Sequence, residues 1–157
     1  MKKIFIFTFL LLFGITMVGC NSETTTTTTT GLDYDAFDYL TDYNQVFTRR
    51  EGTYFVYFYS LTCSNCIKIK SSVLEFADTY SDYNTYFFNV DNGTDTYKAE
   101  FLAAIGVSST NFGTPSFLVV VNGSFDKTKL SNYFFSGATV IPALLRDIET
   151  GTYQYLK

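Results

Sequence analysis

The sequence predicts an α/β fold with a central mixed sheet of about four strands flanked by helices. Short runs of aromatic and β-branched residues alternate with segments of helical period, and two such runs follow one another before the last helical segment. We expect strands separated by a helix to pair in parallel and the last two, joined by a short loop, to pair antiparallel. At 157 residues, the chain has the length of one domain.

Three predicted elements occupy the first half of this domain. Residues 32–49 are predicted to form an amphipathic helix, because apolar side chains recur there with the 3.6-residue period of a helix. Residues 52–60, GTYFVYFYS, are apolar on both faces, which is typical of a strand in the middle of a sheet. From Ser64 the helical period returns, and this helix is predicted to continue as far as Tyr80.

The next two predicted elements continue the alternation. Residues 84–91, NTYFFNVD, have the aromatic composition of a strand. Residues 94–106 predict a helix that ends at Gly106, since glycine readily adopts the left-handed conformation that closes many helices.

A strand pair and a closing helix complete the predicted domain. Residues 115–121 form an apolar strand pattern, and the Asn-Gly pair at 122–123 is a turn signal. Residues 130–137 predict the strand that pairs with it. Residues 138–151 predict the last helix, with Pro142 in the first turn, where proline is tolerated.

Residues 1–19 have the layout of a secretory signal peptide. Lys2 and Lys3 precede an apolar run over residues 4–18, which is shorter than the about 20 residues that a membrane-spanning helix needs. The run ends in MVGC, which resembles the lipobox of bacterial lipoproteins and implies lipidation of Cys20. We therefore expect anchoring to the bacterial cell membrane through Cys20. An ordinary signal peptide and an uncleaved anchor are the alternatives.

A tether is predicted between the anchor and the folded domain. Residues 20–32 contain seven consecutive threonines, which cannot bury apolar surface and therefore predict a disordered segment. The globular domain is expected over residues 33–157. It would face the outside of the cell at some height above the membrane.

Charge and composition exclude several classes of function. The eleven basic residues include the two lysines of the signal peptide, so nine basic residues face fifteen acidic ones after cleavage, a net charge of −6. The sequence has no basic run, which argues against binding of nucleic acid. It also has no histidine, which excludes Ser-His and Cys-His catalysis and removes the commonest ligand of transition metals.

The other two cysteines, Cys63 and Cys66, form a CxxC motif where a predicted strand gives way to a helix. A redox-active pair is one interpretation. The same pair could be a structural disulfide without turnover, or could belong to a module that binds its partner noncovalently. No metal is expected, because a structural site needs four ligands and one CxxC supplies two.

The order of these elements and motifs resembles the thioredoxin-like superfamily. The resemblance covers about residues 33–155. It rests on the CSNC motif at 63–66, on Thr114-Pro115 at the start of a later strand, and on Gly137 after the last strand. With its anchor, the chain looks most like the extracytoplasmic thiol–disulfide proteins of Gram-positive-type bacteria. Thioredoxin-like proteins linked to bacteriocin export are one such group.

The resemblance implies a membrane-anchored thiol–disulfide oxidoreductase with Cys63 and Cys66 as its catalytic residues. The attacking form of a cysteine is the thiolate, and the start of a helix favours a thiolate at Cys63. Cys63 is expected to form mixed disulfides with clients, and Cys66 to resolve them. No cofactor is expected beyond the disulfide that the two cysteines form.

The same resemblance implies client-binding residues around the cysteines. Thr114-Pro115 is expected to form a cis peptide bond that faces the cysteines and presents the Thr114 backbone to an extended client. Ser64 and Asn65 stand where thioredoxins have Gly-Pro, and both could donate hydrogen bonds to a thiolate. Tyr57 replaces the buried aspartate that thioredoxins carry six residues before the first cysteine. Deprotonation of the second cysteine therefore requires water or another group.

Protein thiols and disulfides are the expected clients of a monomeric domain, and a membrane partner that exchanges electrons with it is implied. The direction of electron flow stays open, since thioredoxin-fold couples span about −270 to −120 mV. The alternative function is that of a thioredoxin-fold binding or accessory lipoprotein whose cysteines form a structural disulfide without turnover.

Overall fold

A computed structural model of the chain describes residues 31–49, 52–93, 95–124 and 126–156. The predicted signal peptide, the lipidation site Cys20 and most of the predicted tether lie outside the described residues, so they stay predictions. None of the helices in the described ranges is long and apolar enough to cross a membrane.

Within these ranges the chain forms a five-stranded mixed sheet with α-helices on both faces. The strands are β1 Tyr39–Leu40, β2 Tyr54–Tyr59, β3 Thr85–Asn89, β4 Ser116–Val120 and β5 Phe134–Ser136. The α-helices are α1 Ser64–Thr79, α2 Lys98–Ile105 and α3 Val140–Glu149, and 3-10 helices cover Tyr34–Ala36, Tyr43–Phe47, Asp95–Tyr97 and Lys127–Asn132. The predicted α/β class is thereby confirmed, with one strand more than expected.

The strands are ordered β1-β3-β2-β4-β5 across the sheet. β3 pairs in parallel with both β1 and β2, whereas β4 is antiparallel to β2 and β5 is antiparallel to β4. The order places β2 at the centre, where all of its residues are buried. An apolar run on both faces is what such a central strand requires.

The expectation that strands separated by a helix are parallel neighbours is confirmed for β2 and β3 and is wrong for β4. After α2, residues 106–115 lead the chain back to the edge of the sheet at which β3 ends. β4 therefore enters beside β2 and runs antiparallel to it. This return places Pro115, which precedes β4, at the same edge as the end of β2 and the start of α1.

The amphipathic helix predicted over residues 32–49 is wrong. The segment forms two 3-10 helices separated by β1, which pairs with β3 at the edge of the sheet. Asp33 and Asp42 cap these short helices by accepting hydrogen bonds from the backbone N–H groups of Tyr34 and Asn44. Aspartate, asparagine, threonine and tyrosine favour a continuous α-helix only weakly, so local caps and strand pairing prevail.

The connection between β4 and β5 is longer than predicted. Asn122 and Gly123 form the expected turn, with φ values of 51° and 72°, but this turn closes only an isolated bridge between the residues that flank it. Asp126 then caps a 3-10 helix, and β5 begins at Phe134 rather than at residue 130. The antiparallel pairing of the last two strands is confirmed.

The three predicted α-helices after residue 60 are confirmed. α2 ends as predicted at Gly106, whose φ of 72° is left-handed and whose N–H donates to the carbonyls of Leu102 and Ala103. Pro142 lies in the first turn of α3. Helix boundaries from sequence and structure therefore agree closely in this half of the chain.

An apolar core lies on each face of the sheet, because successive side chains of β2 point to opposite faces. The odd-numbered residues of β2 pack against α1 and α3, and we call this the α1/α3 face. The even-numbered residues pack against α2 and the 3-10 helix Tyr43–Phe47, and we call this the α2 face. Both cysteines of the described chain belong to the α1/α3 face.

Candidate active site

Cys63 directly precedes α1 and caps its first turn. The backbone N–H of Cys66 donates a hydrogen bond to Cys63 Sγ over 3.2 Å. The Cys63 thiol in turn donates to the carbonyl of Thr114 over 3.3 Å. Both cysteines are free thiols; Cys63 is partly exposed, whereas Cys66 is 1% exposed. One sulfur therefore lies at the surface and the other in the core.

The pKa of the Cys63 thiol is lowered from its ordinary value. Burial opposes its ionisation, but hydrogen bonds from the side chains of Cys66 and Thr114 and from the backbone N–H groups of Cys66 and Asn65 outweigh burial. The N-terminus of α1 thus supplies the stabilisation that the position of the motif predicts. The Thr114 carbonyl favours the neutral thiol, since a carbonyl can only accept.

Burial raises the pKa of the Cys66 thiol to about 11, and the side chain of Cys63 adds to the rise. Of the two thiols, Cys63 is therefore the one that ionises first as the pH rises. The two sulfurs differ as a nucleophile and a resolving cysteine must differ: one is accessible and readily ionised, and the other is buried and protonated.

The peptide bond between Thr114 and Pro115 is cis, as the resemblance implies. Pro115 is buried and Thr114 is partly exposed beside Cys63. The Pro115 carbonyl accepts hydrogen bonds from the N–H of Gly137 over 3.0 Å and from the hydroxyl of Ser136 over 3.3 Å. The CSNC, Thr-Pro and glycine motifs on which the resemblance rests thus meet at one edge of the sheet.

Ser64 and Asn65 form the exposed first turn of α1. The side-chain oxygen of Asn65 accepts a hydrogen bond from Lys68 Nζ over 3.4 Å, so the amide is engaged along the helix surface. Asn65 acts on the Cys63 pKa through its backbone N–H. The side-chain hydrogen bonds to the thiolate expected from Ser64 and Asn65 are absent among the hydrogen bonds of the described residues, and both remain surface candidates for client contact.

Asp91 is a site residue that the sequence analysis missed. Its carboxylate accepts hydrogen bonds from the Ser60 hydroxyl over 2.8 Å and from the Leu61 N–H over 3.1 Å. The Ser60 carbonyl accepts from the N–H of Cys63 over 3.3 Å. Asp91 therefore holds the loop that leads from β2 into Cys63. Its signal was present in the sequence, because parallel strands such as β2 and β3 end at the same edge of a sheet.

Two large apolar side chains lie exposed next to the motif, and the sequence analysis missed these too. Leu61 is 60% exposed and precedes Cys63, and Ile67 is 62% exposed and follows Cys66. Single exposed apolar residues are common on protein surfaces. A pair that brackets a reactive sulfur, however, offers apolar area to a chain bound there.

Three tyrosines lie beneath the motif on the α1/α3 face. Tyr59 stacks on Tyr34 with ring centroids 3.9 Å apart, and on Tyr57 with centroids 5.9 Å apart. Tyr57 is fully buried, and its hydroxyl has no hydrogen-bond partner within the described part of the chain. Burial, and then the neighbouring Tyr34 and Cys66, raise the pKa of Tyr57. The described residues contain no cluster of three acidic or sulfur side chains that could hold a metal.

No family model and no curated protein matches this sequence. Solved structures do match. A thioredoxin of Malassezia sympodialis superposes with a TM-score of 0.52 at 19% identity, over 75% of this chain and 91% of its own. Thioredoxin O2 of Arabidopsis thaliana in the oxidized state superposes with a TM-score of 0.53 at 19% identity, over 75% and 95% of the two chains. Mitochondrial thioredoxin 3 of Saccharomyces cerevisiae superposes with a TM-score of 0.50 at 19% identity, over 73% and 93%.

These structures match along nearly their whole length, and their identity to this chain is low. Similarity at this level concerns the arrangement of strands and helices rather than the activity. The chain therefore has the thioredoxin fold that the resemblance implied.

Proposed function

We propose that the chain is a thiol–disulfide oxidoreductase that acts on protein thiols and disulfides through Cys63 and Cys66. The observation that carries this proposal is the asymmetry of the two sulfurs. Cys63 caps a helix, is partly exposed and has a lowered pKa, whereas Cys66 is buried one turn later with a raised pKa. Two cysteines that served only as a structural staple would gain nothing from this difference.

In the reductive direction, the Cys63 thiolate attacks one sulfur of a client disulfide. A bond forms between Cys63 and that sulfur, the client disulfide breaks, and the second client sulfur leaves as a thiolate. Cys66 then loses its proton to water and attacks Cys63 Sγ. The Cys63–Cys66 disulfide forms, the mixed disulfide breaks, and the departing client thiolate takes up a proton. The oxidative direction reverses these steps.

The surroundings of Cys63 supply a docking site for the client. A client sulfur bonded to Cys63 would lie beside Thr114, whose carbonyl is 3.3 Å from Cys63 Sγ. An extended client could therefore pair with the backbone at Thr114, with Pro115 behind it. The exposed side chains of Leu61 and Ile67 would cover its apolar residues.

We also propose that the chain is anchored to the membrane at Cys20 and acts outside the cell. The sequence alone supports this anchoring and location. Basic residues, an apolar run and a lipobox-like MVGC follow one another at the start of the chain. A membrane partner would restore the redox state of the cysteines after each turnover. Labelling of cells with a radioactive fatty acid tests the anchor: the unmodified chain should incorporate label, and Cys20→Ala should not.

A second candidate function is that of a binding or accessory protein whose cysteines form a structural disulfide. One observation favours it: with a pKa of about 11, Cys66 is almost fully protonated at neutral pH, which slows the resolving step. The fully buried position of Cys66 acts in the same direction.

Trapping separates the two functions. The full chain carrying Cys20→Ser and Cys66→Ser is incubated with a protein disulfide such as insulin, and the products are compared on gels with and without reductant. We expect mixed disulfides that reductant cleaves, because Cys63 can attack and nothing resolves the product. The control, which carries Cys20→Ser and Cys63→Ser, keeps only the buried thiol and should trap nothing. If neither variant forms mixed disulfides, the proposed activity is overturned.

A further inference from the structure

The Tyr57 hydroxyl is a buried polar group that takes no part in the proposed thiol–disulfide steps. Tyr57 lies in the centre of β2, and its side chain points to the α1/α3 face. It is 0% exposed, and its hydroxyl has no hydrogen-bond partner in the described ranges. Burying a hydroxyl without a partner is unfavourable, and such groups are rare in native proteins. Its presence therefore calls for an explanation.

The neighbours of this hydroxyl include the buried sulfur. Tyr57 and Cys66 belong to one packed cluster, in which Cys66 is the first buried residue of α1. The Tyr34 ring is a further neighbour, with its centroid 6.3 Å from that of Tyr57. Each of these groups influences the ionisation of the Tyr57 phenol. Tyr57 is thus packed in the same cluster as a sulfur that must become charged.

We propose that the Tyr57 hydroxyl donates a hydrogen bond to the Cys66 sulfur as that sulfur becomes a thiolate, and thereby accelerates the resolution of mixed disulfides. A hydrogen bond to a charged acceptor is stronger than one to a neutral acceptor. The contact is therefore weak while Cys66 is a thiol, which agrees with an unpartnered hydroxyl in the reduced protein. It strengthens as negative charge develops, and this difference is what lowers a reaction barrier.

Tyr57 is suited to donate and not to take the proton itself. Burial raises its pKa, so the phenol is protonated at neutral pH. The proton of Cys66 leaves to water, the Cys66 thiolate attacks Cys63 Sγ, the Cys63–Cys66 bond forms, and the client leaves as a thiolate that is protonated by water. Lys70, which pairs with Asp33 over 2.7 Å, lies above the Tyr34 ring with its Nζ 4.8 Å from the ring centroid.

The inference rests on the proposed function, and one experiment separates the two. Reduced full-length protein carrying Cys20→Ser is mixed with a large excess of Ellman's reagent, a small aromatic disulfide whose thiolate is coloured. Attack by Cys63 releases the first aromatic thiolate. Attack by Cys66 on the mixed disulfide releases the second and closes the Cys63–Cys66 disulfide. Direct reaction of Cys66 with a second reagent molecule would also release a thiolate, but its rate would rise with reagent concentration. A second release whose rate is independent of reagent concentration therefore reports the resolving step.

Tyr57→Phe should leave the first release unchanged and slow the second about tenfold, as expected for loss of a hydrogen bond to a charged group. The dependence of the second release on pH should shift upward by about one unit, a readout that a merely structural role would not move. The matched control is Tyr43→Phe. Tyr43 is likewise buried, with an unpartnered hydroxyl among the described residues, but it lies on the α2 face.

A second variant makes the phenol at position 57 a stronger hydrogen-bond donor instead of removing its hydroxyl. Site-specific 3-fluorotyrosine at position 57 keeps the ring and the hydroxyl, and its more acidic phenol should speed the second release. A second release of unchanged rate in Tyr57→Phe, or an equal loss in Tyr43→Phe, would overturn this inference and leave the proposed function standing. A missing second release in the parent protein would overturn both.

Discussion

On the α1/α3 face of the sheet, the buried Tyr57 with its unpartnered hydroxyl lies in one cluster with Cys66. On the α2 face, a second buried tyrosine of the described chain, Tyr43, also has an unpartnered hydroxyl, but it is surrounded by phenylalanine rings. Burial raises the pKa of Tyr43 to about 12, with a smaller contribution from Asp95. Both tyrosines are packed among aromatic side chains, but among the described residues only the cluster of Tyr57 contains a buried cysteine, Cys66.

This difference shows which part of the molecule supports the fold and which part carries the proposed chemistry. Aromatic residues fill both faces, so their abundance is a property of the core and gives no indication of a ligand. The reactive sulfur appears only where the end of β2, the start of α1 and the entry to β4 meet. Changes on the α2 face should therefore affect stability, and changes near the meeting point should affect reactivity.

The largest effect on stability is expected for Phe58→Ala on the α2 face. Phe58 is 0% exposed and packs against Phe88, Phe101 and Phe112. Loss of its ring should lower the free energy of unfolding by about 3–5 kcal/mol, because a cavity remains. Denaturant unfolding measures this loss. A cost below about 1 kcal/mol would show that this face is not a packed core.

A smaller loss is expected for Gly93→Ala, also on the α2 face. An added Cβ would lie 2.7 Å from the ring of Phe88, which is itself fully buried. Forcing the ring to move should cost about 1–3 kcal/mol, and the reaction rate of Cys63 in the folded protein should stay the same. Unfolding curves and alkylation rates check the two parts. An altered Cys63 rate would break the separation of the two faces.

Asp91→Ala tests the comparison next to the reactive cysteine instead of on the α2 face. The carboxylate of Asp91 holds Ser60 and Leu61 in the loop before Cys63, so its removal should cost about 1 kcal/mol and change the alkylation rate of Cys63. Asp95→Ala is the control, since Asp95 pairs only with Lys98 on the exposed surface of the α2 side among the salt bridges described. Equal effects of both variants on Cys63 would contradict the assigned role of Asp91.

The smallest expected effect is a shift in the pH dependence of Cys63. Its pKa is lowered in the folded protein, so the alkylation rate of Cys63 should reach half its maximum at a lower pH in the folded protein than in the chain unfolded by denaturant. Cys66 of the folded protein should not react at neutral pH, because it is 1% exposed and has a pKa of about 11. Mass spectrometry of the alkylated peptides distinguishes the two thiols. Equal labelling at neutral pH would remove the asymmetry on which the account depends.

The sequence predicted best what local pattern determines. The central position of β2 follows from its apolar run, and the start of α1 at Ser64 follows from the change of period after the CxxC motif. The meeting of Cys63 with Thr114 could be predicted only through the resemblance, because 51 residues separate the two. Periodicity carries no information about such a distant contact.

What the sequence did not predict depends on the neighbours that each segment finds. In residues 32–49 the apolar spacing fits a helix, but Leu40 pairs with Phe88 in the sheet, and this long-range pairing is invisible in a local pattern. Asp91 resembles any polar residue after a strand until β3 is known to lie beside β2. The missing partner of Tyr57 is visible only once the packing around it is known.

The central claim is that Cys63 and Cys66 form a working redox couple, and its reduction potential tests this most directly. The full chain carrying Cys20→Ser is equilibrated with glutathione buffers of graded ratio, and the reduced fraction is measured by alkylation and mass spectrometry. We expect a reversible two-electron transition between about −270 and −120 mV, the range of thioredoxin-fold couples. A disulfide that stays closed below about −300 mV would instead be a structural bond, and would contradict the account.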